Sequence, residues 1–273
     1  MSQRLFDPLE TASYYDDPDV STFYRHYWGG EDIHIGLYDA GDESVAEASA
    51  KMTRYLLEHA GTGPGQKVLD IACGFGGTLR ILARMGCRAT GFDISNVCVT
   101  EALRANEEAG LANRITVSRG DFHAIDSPND QWDAVVCQEA LIHSDDRLRV
   151  FNEVYRVLRP GGVFAFSDIL TGDGADVTLV RAAFSRLGAE AGATVDNYCD
   201  LTQQAGFDIR YVEERHRDIE SHYAVLARAL DEPVEGLSSH ASASIKQSIA
   251  RWRAATAGGH ITWALFIARK PGL

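Results

Sequence analysis

No stretch of this 273-residue chain is apolar for long enough to cross a membrane, and the opening residues, MSQRLFDPLE, hold no apolar signal region. Cysteine is sparse. The five, at 73, 87, 98, 137 and 199, are odd in number and none is spaced as CxxC. Cys73, Cys87 and Cys137 lie in apolar, strand-like or glycine-rich surroundings and read as small buried thiols, which places the protein in a reducing cytoplasm. Positive charge is also short: 26 Lys and Arg stand against 39 Asp and Glu, for a net charge of −13. A nucleic-acid groove needs clustered Lys and Arg, so no such partner is expected. The acid is spread along the chain and reads as a solvated surface. Repeats and low-complexity linkers are absent. What remains is 45% apolar, enough to bury the core of one large domain.

The apolar residues fall into a regular order. Residues 1–27 are aromatic and acidic, and Phe23, Tyr24, Tyr27 and Trp28 have helical spacing, which predicts a short helix capped near Asp19 or Ser21. Residues 43–60 read as an amphipathic helix, ended by Gly61, Gly63, Pro64 and Gly65. Strands are then expected at 67–73, 88–95, 115–122, 132–140 and 162–170, with helices at 76–86, 96–110 and 145–158. Such alternation means a parallel sheet with helices on both faces, and ligands bind beyond the carboxyl ends of its strands. After residue 170 the chain is more helical. Strands near 207–216 and 260–271 flank a polar helix at 238–257, and an antiparallel hairpin of the two would close one sheet edge. Residues 1–60 form a lid and helix, 61–170 a cofactor core, and 171–273 a part that completes the sheet and covers the substrate, all within one compact domain.

The turn after the first strand is Asp70-Ile71-Ala72-Cys73-Gly74-Phe75-Gly76-Gly77. A dinucleotide site would need a third glycine where Leu79 stands. The acidic residue four positions before the first glycine suits a different ligand. This turn resembles the first motif of class I methyltransferases that use S-adenosylmethionine. Three further segments extend the resemblance over residues 66–170. Asp93 ends the second strand, "GDF" (120–122) ends the third, and "VLRPGG" (157–162) leads into the fifth. The resemblance implies a Rossmann-like α/β fold and S-adenosylmethionine as cofactor. It places Asp70, Ala72, Gly74 and Gly76 at the methionine end, with Gln138 beside them. Asp93 and Ile94 fall at the ribose, and Asp121 and Phe122 at the adenine.

The cofactor core is shared across many acceptors, so the acceptor must be read elsewhere. "YYDDPDVSTFYRHYWGGEDIHIGLY" (14–38), "QEALIHS" (138–144), "RDIESHY" (217–223) and "ITWALFIARK" (261–270) are similar to segments of sarcosine/dimethylglycine N-methyltransferases, which complete glycine betaine. The chemistry suits these residue types. Methyl transfer is an in-line displacement, and alignment alone can supply roughly 7–11 kcal/mol. The acceptor amine must lose its proton, and His143 is the expected base or orienting group. The related phosphoethanolamine methyltransferases imply a tyrosine partner for it, Tyr14 or, preferably, Tyr15. Tyr24 and Trp28 offer rings to the growing cation, each worth about 0.5–2 kcal/mol; Phe23 and Tyr27 read as packing. Arg217 is expected to grip the acceptor carboxylate, with Tyr223 beside it. His34 is expected to face the site. Glu31, Asp32 and His34 could hold a divalent ion, but the resemblance implies metal-free transfer. Monomer and homodimer both stay open. The rival readings are another small amine such as phosphoethanolamine, a natural-product acceptor, a non-catalytic cofactor sensor and a nicotinamide dehydrogenase.

Overall fold

The computed structural model describes residues 8–272, apart from positions 40, 42, 188, 190, 191 and 233. Three helices precede the sheet: α1 (Pro8–Asp16), α2 (Pro18–Tyr27) and α3 (Val45–His59). The expected aromatic helix is α2, and α1 before it is a helix the sequence reading did not anticipate. The break falls at Asp17, whose carboxylate accepts from the Asp19 and Val20 amides at 2.9 and 3.1 Å. Pro18, which has no N–H to leave unpaired, takes the first helical position. The cap is thus Asp17 rather than Asp19 or Ser21. A capping box between Ser44 and Glu47 starts α3.

The parallel strands are β1 (Lys67–Asp70), β2 (Arg88–Asp93), β3 (Ile115–Arg119), β4 (Trp132–Gln138) and β5 (Leu158–Thr171). Interleaved with them are α4 (Gly77–Arg84), α5 (Asn96–Glu108) and α6 (Arg147–Val157). The remainder comprises α7 (Val177–Phe184), α8 (Val195–Gln204), β6 (Asp208–Glu214), α9 (His216–Ala229), α10 (Ser239–Ala257) and β7 (Ile261–Arg269). The sheet order is β3-β2-β1-β4-β5-β7-β6. β7 runs antiparallel to both neighbours. The last two strands pair as expected, but α9 and α10 separate them in sequence, so they are not a local hairpin.

Alternate strand residues serve opposite faces, as a period of two requires. Val68, Ala134, Val136 and Ala165 join the core under α3, α4 and the N-terminal helices. Leu69, Val135, Phe164 and Phe166 join a second core with α6 and α8. The strand order reverses between β1 and β4, and the crevice beyond their carboxyl ends is where a ligand belongs in an open α/β sheet. No helix among the described residues is long and apolar enough to cross a membrane.

Residues 28–38 run from α2 across α3 towards that crevice. The glycines there are needed for close approach. A Cβ on Gly36 would stand 2.4 Å from the Ala48 Cβ and 2.8 Å from the Ala48 carbonyl carbon. The backbones are tied at the same place, with the Leu37 amide donating to Ala48 O at 2.9 Å. Gly36→Ala is expected to cost about 1–3 kcal/mol by overpacking, read as a lower midpoint in urea. An unchanged midpoint would contradict this account of the segment.

Candidate active site

The β1–α4 turn, the β2–α5 turn, residues 120–123 and the segment after β4 surround a cleft with about 640 Å³ of empty space. Ala72, Gly74, Asp93, Ile94, Asp121, Phe122 and Gln138, all anticipated from the sequence, line it. Asp70 and Gly76 do not. Asp70 is buried at the end of β1, where its Oδ1 lies 3.4 Å from the Ala72 amide. Burial, reinforced by the Asp93 and Asp32 carboxylates, pushes its pKa up to about 7. Gly76 has φ +82° and caps α4, a conformation a β-carbon would strain. Both residues shape the turn from behind its wall.

Asp93 braces the floor. Its two oxygens accept from the Gly74 and Ser95 amides, each at 2.9 Å. Asp121 Oδ1 accepts from both the amide and Nδ1 of His123 at 2.8 Å, which holds the carboxyl below its ordinary pKa. Gln138 Oε1 receives the Thr78 hydroxyl at 3.4 Å, while its Nε2 is buried with no hydrogen-bond partner among the described residues. An orphaned donor on a residue that lines the cleft is in keeping with a ligand carrying an acceptor such as a carboxylate.

The helix N-termini beside the cleft are already occupied. Asp32 packs its carboxylate on Gly77 at the start of α4, where an added Cβ would meet Oδ1 at 2.1 Å. The Gly77 amide donates to Glu31 O at 3.0 Å, and the Glu31 carboxylate pairs with buried Arg80 at 3.1 Å. Asp16 sits in the same way on α5, accepting from Ser95 Oγ at 2.6 Å and the Val97 amide at 3.1 Å. A pyrophosphate would have to displace these carboxylates. The cleft instead suits a cofactor with positive charge.

Glu31, Asp32 and His34 therefore turn to separate tasks. The buried His34 ring contacts Ile35 O through Nδ1 at 3.0 Å and Thr53 Oγ1 through Nε2 at 2.9 Å. Burial alone would discharge it. Asp32, 3.5 Å away, and Glu139 outweigh that effect and push its pKa up to about 9. Among the described residues, no group of three or more His, Cys, Asp or Glu side chains is arranged to hold a metal.

A second pocket adjoins the first, and Tyr15, Ile33 and Glu139 border both. His143 closes the 3-10 turn Leu141–His143, and its Nε2 lies 3.0 Å from the Tyr15 hydroxyl. Burial, with the Arg147 charge behind it, holds the His143 pKa down to about 4, so the ring is neutral near pH 7. Burial also raises the Tyr15 hydroxyl well above its ordinary range. Tyr24, Trp28, His34, Tyr223 and Trp252 form the walls. Trp28 Nε1 donates to His34 O at 3.0 Å, leaving its ring to the pocket. Tyr27 is structural: its hydroxyl donates to Glu232 O at 2.6 Å.

The carboxylate grip differs from the expectation. Arg217 is exposed on the first turn of α9 and does not reach either pocket. The inward side of that helix presents Asp218, which accepts from the Tyr38 amide at 2.7 Å, and His222, which receives the Gly36 amide at 3.2 Å. "RDIESHY" thus anchors the lid. The arginine in the pocket is Arg186, just beyond α7. Its Nε donates to Ser248 Oγ at 3.2 Å, and its guanidinium lies 5.5 and 5.4 Å from the Tyr14 and Phe23 ring centres. No carboxylate pairs with it among the described residues.

Glu139 is the other residue that the sequence reading missed. It has φ +50°, a strained conformation for a side-chain-bearing residue, directly after β4. Ile35 N, Ser167 Oγ and Trp263 Nε1 donate to its carboxylate at 2.7, 2.6 and 2.7 Å. The arrangement fixes a buried acidic side chain between the two pockets.

A family model described as a methyltransferase domain matches residues 68–162. A sarcosine/dimethylglycine N-methyltransferase of Halorhodospira halochloris is 32% identical over 99% of this chain and all of its own length. A dimethylglycine N-methyltransferase of Parasynechococcus marenigrum is 35% identical, covering 96% of this chain and 95% of that one. A crystal structure assigned provisionally to a sarcosine dimethylglycine methyltransferase of Galdieria sulphuraria superposes with a TM-score of 0.86 at 32% identity, covering 94% and 99% of the two chains.

Proposed function

Because this chain belongs to the sarcosine/dimethylglycine N-methyltransferase family, we propose that it transfers methyl groups from S-adenosylmethionine to sarcosine and N,N-dimethylglycine, forming glycine betaine. The observation that carries this reading is the Tyr15–His143 contact: His143 lines the cofactor cleft, and Tyr15 borders both that cleft and the adjoining aromatic pocket. The cofactor supplies an electrophilic methyl on a sulfonium. Asp93, Asp121 and Gln138 would hold its ribose, adenine and carboxylate, in keeping with the carboxylates and the orphaned amide of the cleft.

This chain's residues handle the acceptor. Arg186 holds the carboxylate through its fork of N–H donors. Tyr15 Oη takes the amine proton while passing its own to His143 Nε2, whose ring is neutral near pH 7. The transfer moves positive charge from sulfur to nitrogen. Glu139 borders both positions, so its charge serves the reactant and the product cation alike. Tyr24, Trp28, Tyr223 and Trp252 face the quaternary product, which cannot lose its charge to a base. The four buried free thiols and the small polar acceptors suit a reducing cytoplasm.

Incubation with S-adenosylmethionine and each acceptor should yield dimethylglycine from sarcosine, then betaine, with matching S-adenosylhomocysteine. Absence of methylated product from both, in protein shown by calorimetry to bind S-adenosylhomocysteine, would overturn the acceptor assignment.

A further inference from the structure

Asp16 ends α1 one residue after Tyr15. Its contacts with Ser95 and Val97 fall on the turn that also carries the ribose-side carboxylate. Ser95 gives its amide to Asp93 at 2.9 Å, and its hydroxyl oxygen accepts from the Cys98 amide at 3.0 Å. Residues 93–97 are therefore gripped from below by Asp93 and from above by Asp16. A negative group at the start of α5 is also favoured by the helix dipole. Elsewhere on α1 the Tyr14 and Tyr24 hydroxyls lie 3.4 Å apart. Thr11 and Tyr15, both on α1, line the cofactor cleft.

We propose that Asp16 is a positioning residue for methyl transfer: by seating α1 on the start of α5, it holds the Tyr15 hydroxyl within reach of His143. The proposal rests on Tyr15 and His143 being the proton-handling pair. Asp16 touches neither cofactor nor acceptor; it acts through the adjacent Tyr15. It also links the placement of Tyr15 to the turn that embraces the ribose, so a bound cofactor firms the lid and the lid completes the acceptor pocket. A shift of about 1 Å in a reacting geometry can cost roughly 100-fold in rate, so a modest slackening of α1 is enough to be seen.

The test compares Asp16→Ala, Asp16→Asn, Tyr15→Phe and the double variant Asp16→Ala/Tyr15→Phe at saturating cofactor and acceptor. Asp16→Ala should lower kcat by roughly 10- to 100-fold while acceptor KM stays within about threefold. Asp16→Asn keeps an acceptor oxygen for Ser95 and Val97 and should recover most of the lost rate. The double variant should be no slower than Tyr15→Phe by more than about twofold, because both changes remove the same contribution. An unchanged kcat in Asp16→Ala, or effects that multiply in the double variant, would overturn the proposal. Hydrogen exchange probes the same link without turnover. Amides of residues 11–16 should gain protection when S-adenosylhomocysteine binds the parent protein and lose that gain in Asp16→Ala; equal protection in both would also overturn it. A parent protein that methylates neither acceptor would defeat the functional reading instead, with the exchange result still decisive for Asp16.

Discussion

His143→Ala lowers kcat by roughly 100- to 10,000-fold, the usual worth of a positioned acid–base group, and leaves S-adenosylhomocysteine affinity within about twofold. The separation is expected because the neutral His143 ring, though it lines the cofactor cleft, is engaged by Tyr15 at 3.0 Å, and Tyr15 borders both pockets. Stopped-flow transfer and calorimetry on the same preparation check both halves. The pH dependence follows from the pKa, which burial lowers from the ordinary 6.5 to about 4. A group with a depressed folded pKa protonates late, so kcat/KM should show no inflection near pH 6.5 from this residue between pH 5 and 8. The stability sign agrees. Between about 4 and 6.5 the unfolded chain binds a proton on His143 that the folded chain refuses, so this residue costs stability as pH falls through that window. An inflection near 6.5 that vanishes in His143→Ala would contradict the buried neutral ring. A kcat within threefold of the parent would remove His143 from the chemistry.

Arg186→Ala reduces kcat/KM for dimethylglycine by roughly 10- to 150-fold, the range set by about 1.5–3 kcal/mol for hydrogen bonds to a charged group. Most of the loss should appear in KM, because the acceptor carboxylate takes no part in bond making or breaking and is held equally before and during transfer. Arg186→Lys should recover only part of it. A lysine keeps the charge but loses the planar fork that approaches the Tyr14 and Phe23 rings. Arg217→Ala is the counterpart. Its side chain is exposed on α9, so acceptor KM should change by less than about twofold. Steady-state kinetics on the three variants decide between the two arginines. A large effect at Arg217 with none at Arg186 would reverse the assignment made from the geometry.

The contrast between these arginines shows where reading the sequence reaches its limit. The cofactor half is legible because its groups sit at strand ends: Asp93 closes β2, and Gln138 closes β4. Adjacency in the sheet then carries each of them to the same crevice. The acceptor half is assembled from segments far apart in sequence, and its arginine comes from a turn after α7 that carries no pattern of its own. "RDIESHY" was read for Arg217, which is exposed, while the segment reaches residues 36 and 38 through Asp218 and His222. On a helix, Asp218 and His222 are four apart and share a face, while Arg217 is rotated away from it. α1 left little trace because it lacks an apolar stripe. Glu139 was hidden for another reason. A positive φ on a glutamate is imposed by tertiary contacts, and no local preference announces it.

β7 gives the site a history as well as a shape. The Glu139 carboxylate that borders both pockets is held by Trp263, and that strand slots between β5 and β6 near the C-terminal end of the sequence. Glu139 in turn receives the amide of Ile35, far towards the other end. A ribosome delivers these residues in order, so Ile35 has long left the exit tunnel before its anchor can be secured. Glu139, which borders both pockets, therefore gains its full set of donors only once β7 has followed β1–β6 out of the ribosome.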